Sequence, residues 1–194
     1  MTLAMRLRDA LESDGTGSPL EGDLPERRAL AAVPAAVLIP ITDREQPGVI
    51  LTVRRDDMRT HAGQVAFPGG RIDAGEAPIE AALREAQEEL QLDRTRVDIV
   101  GAIEPYRTIT DYIVTPVIGV VPPDLDLAPQ EQEVADWFEA PLAHLLDPAN
   151  QHLRSALLRG ETRHYYEIDW NGRRIWGVTA AIIVNLSRRL SGAW

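Results

Sequence analysis

"RRDDMRTHAGQVAFPGGRIDAGEAPIEAALREAQEELQL", Arg54 to Leu92, decides how the rest of the chain is read. It holds a glycine turn at Pro68-Gly69-Gly70, a polar loop carrying Glu76, and a helix that starts near Pro78. Proline suits the first helical position, where its missing N–H costs nothing, whereas Ala77 before it is a poor cap. The apolar residues Ile79, Leu83, Ala86 and Leu90 recur at helical spacing and predict one buried stripe. Glu85, Glu88 and Glu89 stand at i, i+3 and i+4, on the side away from that stripe, with Cβ atoms roughly 5–6 Å apart. On an isolated helix such a row is usually a solvated acidic face. Here glycines and Glu76 directly precede the helix, and a loop with Arg59 and His61 precedes the glycines, which favours a chemical role.

Carboxylates clustered on one helical turn suit Mg²⁺ or Mn²⁺, hard cations that take oxygen ligands. Gly69 allows a backbone carbonyl to approach the same ion. Arg84 is expected to pair with Glu76 or Glu88 and so orient the carboxylates. A metal held by carboxylates alone points to phosphoryl chemistry, because the ion neutralises phosphate oxygens and acidifies a bound water.

Outward from this stretch, Thr2–Glu12 reads as an amphipathic helix and Ser13–Glu26 as a flexible link. The helix is a lid, a dimer contact or simple packing, of which packing is the ordinary case. Ala35–Ile41 and Val49–Arg54 read as a hairpin, and Gln64–Phe67 as a short extended piece. Val97–Ile103 is a further strand. Ile113–Val121 is a longer one whose Pro116 predicts an edge or a bulge. A proline-rich acidic loop leads to a strand from Glu133 to Glu139, and Pro141–Leu146 forms a helical turn. Asn171-Gly172 signals a hairpin between Arg163–Trp170 and Arg173–Trp176, and Thr179–Leu190 forms a closing helix. At 194 residues this is one domain, 33–194, with an N-terminal helix and link over 1–32.

The chain has no cysteine, which excludes disulfides and thiolate chemistry. All 20 basic residues are arginine, so Schiff-base lysines and a lysine-bearing phosphate loop are excluded as well. Phosphate recognition must then use the arginine fork. A net charge of −10 argues against nucleic-acid and anionic-membrane partners and leaves a small-molecule substrate. There is no signal-peptide pattern and no apolar run long enough to span a bilayer, so a cytoplasmic location is expected. Edge strands and the N-terminal helix leave a homodimer open.

Gly70 to Leu92 resembles the Nudix box, G-x5-E-x7-R-E-U-x-E-E-x-G-U with U apolar. Gly70, Glu76, Arg84, Glu85, Glu88, Glu89 and Leu92 fall on its positions, and Gln91 departs from it where the pattern has glycine. Leu51 to Gly70 resembles the signature of the coenzyme A pyrophosphatase branch, L-T-x-R…R-x-H-x-G-Q-[VIL]-x-F-P-G-G, through Arg54, Arg59, His61, Gly63, Gln64, Phe67, Pro68 and Gly69. "EPYRTITDYIVTPVIGV", "EVADWFEAPL" and "IWGVTAAII" are similar to that branch too, although Asp111 stands where a small residue is expected. The resemblance implies an α/β/α sandwich around a mixed sheet. It also implies hydrolysis of the pyrophosphate bond of coenzyme A or acyl-CoA, giving 3′,5′-ADP and 4′-phosphopantetheine or its acylated form. Mg²⁺ or Mn²⁺ would sit on Glu85, Glu88 and Glu89, and Arg54, Arg59, His61 and Gln64 would bind the substrate. Glu85 is the first choice for general base and Glu133 the second. The alternatives are a Nudix hydrolase of nucleoside triphosphates, dinucleoside polyphosphates or nucleotide sugars, and a non-catalytic domain that senses a nucleotide.

Overall fold

A computed structural model describes residues 1–13, 18–20, 22–23, 32–55, 63–158 and 160–191. In chain order the elements are α1 (Leu3–Glu12), β1 (Val33–Thr42), β2 (Gly48–Arg54), β3 (Val65–Ala66), β4 (Gly69–Arg71), α2 (Pro78–Leu90), β5 (Asp98–Ala102), β6 (Tyr106–Arg107) and β7 (Tyr112–Val121). There follow β8 (Val134–Pro141), α3 (Leu142–Leu146), β9 (His152–Leu158), β10 (Glu161–Trp170), β11 (Arg173–Trp176) and α4 (Val178–Leu190).

β1 and β7 run parallel along their whole length, while the other pairings are antiparallel, so the main sheet is mixed. Side chains alternate across it, as a two-residue period demands. Ala36 and Leu38 of β1, with Ile50, Val117 and Val121, face the buried residues of α2. Ala35, Ile39 and Ile41 face the opposite way, into a larger core with α1, α3 and α4. This is the α/β/α sandwich expected. α1 belongs to that larger core through Leu3, Ala4, Leu7 and Ala10. The buried Asn185 of α4 grips the backbone of Leu20 with both amide atoms, and Arg189 donates to the Leu11 carbonyl. The N-terminal helix is therefore packing.

The expected hairpin of β1 and β2 is paired at its base, Ile41 with Val49, and then opens. The chain from Val65 to Arg71 fills the opening, β3 against β2 and β4 against β1. The expected glycine turn is thus a short strand paired with β1, continuing the segment whose first part, β3, pairs with β2. The glycines are needed for close approach: a Cβ on Gly69 would press on the backbone of Ala36 and Val37, and one on Gly70 would press on the Glu85 carboxylate.

Pro116 lies neither on an edge nor in a bulge, since β7 has β1 on one side and β5 and β6 on the other. Its carbonyl accepts from Ile103 N–H, just past the end of β5. N–H and C=O of one strand residue point the same way, so the donor that proline lacks falls in the gap between β5 and β6. Pro40 follows the same rule. Leu38 N–H bonds the Pro68 carbonyl, and two residues on, the missing donor of Pro40 falls where β4 has ended and β2 begins.

The Asn171-Gly172 hairpin is present, with both residues at positive φ. β9 has no counterpart in the sequence reading. It extends that hairpin into a three-stranded sheet ordered β11-β10-β9. Both departures from the family patterns lie at positive φ: Gln91 at 56° and Asp111 at 62°. Gln91 closes α2 in the left-handed conformation that glycine favours, and Leu92 N–H reaches back to the Ala86 carbonyl. A left-handed residue other than glycine costs about 1–2 kcal/mol. Gln91→Gly is therefore expected to stabilise the fold by up to roughly 1 kcal/mol. Thermal denaturation should show a rise in Tm of about 2–4 °C.

Candidate active site

α2 lies against the sheet on small residues, Ala81, Ala82 and Ala86, each fully buried. The alanines widen the buried arc beyond the stripe of Ile79, Leu83 and Leu90 until it includes Glu89. The three glutamates are therefore not on one solvent side, as the spacing suggested. Glu89 is 3% exposed, the Glu85 side chain 15%, and the Glu88 side chain 59%. Counting alanines 81 and 82 as core would have placed the arc correctly from sequence.

Arg84 organises the outer half of the site. Its Nε and one terminal nitrogen donate to the two oxygens of Glu76, at 2.9 and 3.0 Å. The other terminal nitrogen donates to Glu85 at 2.8 Å and Glu88 at 3.2 Å. The guanidinium also reaches the Arg71 carbonyl at the end of β4, a contact the sequence gave no sign of. Glu76 accepts in turn from Asp73 N–H and closes its own loop. The Arg84 fork and that backbone donor hold the Glu76 carboxyl below the usual carboxylate range.

The inner half is short of positive charge. Burial raises the Glu85 carboxyl above the ordinary value; Arg84 opposes the shift, and Glu88 and Glu133 add to it. Burial pushes Glu89 up to about 8, opposed by Gly69 N–H at 3.2 Å and by Arg54, and reinforced by Glu85 and Glu133. The Arg54 guanidinium stands 3.8 Å from Glu89, and its buried Nε has no partner among the described residues. Glu133 is exposed just before β8, close enough for its charge to act on both inner carboxyls. Its loop is tied to the helix, because Gln130 N–H bonds the Glu89 carbonyl and Ala128 N–H bonds that of Leu90.

Among the described residues no three acidic or histidine side chains converge closely enough to enclose an ion. Arg84 holds Glu85 and Glu88 by one oxygen each, which leaves Glu85 Oε2 and Glu88 Oε1 without a partner among those residues. A buried carboxyl driven up to about 8, beside two further carboxylates, is the setting a divalent cation would relieve. The oxygen-only donor set suits Mg²⁺ or Mn²⁺.

Arg59 and His61 lie outside the described residues. The Gln64 carbonyl accepts from Arg54 N–H, and its side chain lines a cleft of about 410 Å³ with Arg173, Arg174 and Trp176. Val53, also on the cleft wall, packs toward α4, so the cleft opens on the face of the sheet opposite Glu89. Arg173 and Arg174, at the tip of the Asn171-Gly172 hairpin, were not singled out from sequence. That hairpin signal is the feature that could have placed them.

The shift at Glu89 has a measurable consequence. With its folded value near 8 and an ordinary unfolded value, the unfolded chain releases this proton first as pH rises. The contribution of Glu89 to the stability of the metal-free protein is therefore full in acid, falls between about pH 4.5 and 8, and levels off above that, by up to roughly 4 kcal/mol. Thermal melts in chelator should show this decline. Glu89→Gln should flatten it, and added Mg²⁺ should raise the wild-type Tm most at the alkaline end.

Comparison with known proteins shows the family. The model of the NUDIX domain matches residues 32–159. An uncharacterized Nudix hydrolase, NudL, of Shigella boydii is 45% identical over 157 residues, 80% of this chain and 82% of its own. NudL of Escherichia coli K12 is 44% identical over the same length. In fold, the crystal structure of the Nudix hydrolase RenU from M. smegmatis aligns with a TM-score of 0.51 at 20% identity, over 69% of this chain and 81% of that one. The chain belongs to the Nudix family and is a Nudix hydrolase, a pyrophosphohydrolase by class.

Proposed function

We propose that the protein hydrolyses the pyrophosphate bond of coenzyme A or an acyl-CoA, releasing 3′,5′-ADP and 4′-phosphopantetheine or its acylated form. Glu85, Glu88, Glu89 and the Gly69 carbonyl would hold the Mg²⁺ or Mn²⁺. The observation that carries this reading is the meeting of two sequence signatures at one point. Arg54, from the coenzyme A-type segment, comes within 3.8 Å of Glu89, from the reaction helix, with a buried Nε unpaired among the described residues. A phosphate oxygen is a natural acceptor for that donor.

When bound, the divalent ion supplies charge neutralisation at phosphate oxygens and an acidified water. The chain's own residues do the rest. Arg84 fixes Glu85 in one rotamer through a charge-assisted hydrogen bond. Glu85 takes the proton of the attacking water as its oxygen bonds to phosphorus. The bridging P–O bond breaks, and the leaving portion departs as a phosphate monoester. The raised basicity of Glu85 suits this role, and Glu133 is the second candidate. Arg54, Arg59 and His61 serve the substrate phosphates, Gln64 steadies Arg54 through its backbone carbonyl instead of reaching the phosphates, and Gly70 leaves the room that Glu85 needs.

The test is product analysis with Mg²⁺ over coenzyme A, acetyl-CoA, ADP-ribose, a dinucleoside tetraphosphate and nucleoside triphosphates. Coenzyme A and acetyl-CoA should give 3′,5′-ADP. Coenzyme A left intact while another compound is cleaved would overturn the substrate assignment and leave the hydrolase in place. Glu85→Gln should lower kcat by about 10²–10⁴ with little change in KM. Glu133→Gln matching or exceeding that loss would transfer the base to the loop.

A further inference from the structure

β9 is an open edge. It pairs with β10 on one side, and among the described residues no strand pairs with the other. Edges are normally blunted by charge, proline or a bulge. β9 has no proline and an unbroken register with β10. Its formal charge, Arg154, is already engaged with Glu167 at 3.6 Å. On the other face stand Leu153 and Leu157, 59% and 75% exposed. Leu153 lies opposite Tyr166 of β10, which packs against the main core. This face is thus the core-facing side of the hairpin, continued past the body it covers.

The backbone parity of β9 sets how it can pair. The hairpin closes on Leu158 opposite Glu161. With two residues between them, that pair is hydrogen-bonded, and bonded and non-bonded pairs then alternate. Leu153, Ser155 and Leu157 therefore turn their N–H and C=O groups away from β10, toward the open edge.

We propose that β9 pairs antiparallel with β9 of a second copy about a two-fold axis at Ser155, joining the two small sheets into one. This register is self-complementary. Ser155 meets Ser155 in a hydrogen-bonded pair, and Leu153 of each copy meets Leu157 of the other in the same kind of pair. The outward backbone groups of these residues all find mates, and the exposed leucines close over one another around the axis. On the opposite face Arg154 meets Ala156 and stays beside its own Glu167, which it shares with Arg174, so no like charges stand directly opposite each other. The proposal is independent of the substrate.

Light scattering at roughly 100 µM, a concentration that populates even a micromolar dimer, should give twice the 21.4 kDa chain mass. Leu153→Glu with Leu157→Glu should weaken dimerisation at least about tenfold with an unchanged circular dichroism spectrum. Because the chain has no cysteine, Ser155→Cys introduces a single thiol. Paired Cα atoms about 5.5 Å apart lie within disulfide range, so mild oxidation should give a covalent dimer. Glu45→Cys, in the exposed turn after β1, should give no covalent dimer under the same oxidation. A monomer mass, a dimer that survives the double substitution, or Ser155→Cys cross-linking no faster than Glu45→Cys would overturn the proposal. Should the double variant unfold, the thiol comparison decides.

Discussion

One guanidinium ties the reaction helix to everything around it. Arg84 spans Glu76 in the preceding loop, Glu85 and Glu88 on its own helix, and the carbonyl that ends β4. A planar fork can satisfy these acceptors together, whereas an ammonium cannot hold the same angles. The contact also carries an electrostatic constraint. One positive charge faces three carboxylates, with Glu89 and Glu133 close by, so the site stays strongly negative while its geometry is held. Order and charge deficit come from the same residue.

The second constraint is space. β1 and β2 separate after one pairing, and the chain from Val65 to Arg71 occupies the gap. Only glycines allow β4 to lie against β1 and beneath Glu85 at once. The wedge also presents Gly69 N–H to Glu89. The glycines in the motif thus answer to β1 and to two carboxylates, and a turn has no part in it.

Much of this was legible in the sequence. The spacing of Arg84, Glu85, Glu88 and Glu89 marks a helix that carries an arginine and its carboxylates, and the Asn171-Gly172 hairpin and the closing helix lie where local signals put them. Depth was harder to read. Large apolar residues alone mark a stripe that omits alanines 81 and 82, and such a stripe leaves Glu89 in solvent. Pro116 looked like an edge marker because a lone strand shows its missing donor but not the gap in its neighbour. β9 was invisible because neither of its faces is buried, and without a buried face no strand writes a clear alternation. The roles of Arg54 and Gln64 rest on family pattern, since their meaning depends on what lies across the sheet.

The tie between α2 and the acidic loop has one more consequence. Ala128 and Gln130 donate to the last carbonyls of the helix, so that end of the loop is part of the helix terminus and moves with it. Glu133, three residues on, is referenced to the helix rather than to the apex of the loop. Leu125 and Leu127 pack on the core beneath α2, so only the exposed apex at Pro123 and Asp124 can change without displacing the carboxylate beyond it. Sequence change in this loop is therefore absorbed at its exposed apex, while Glu133 and the carboxylates of α2 keep their alignment.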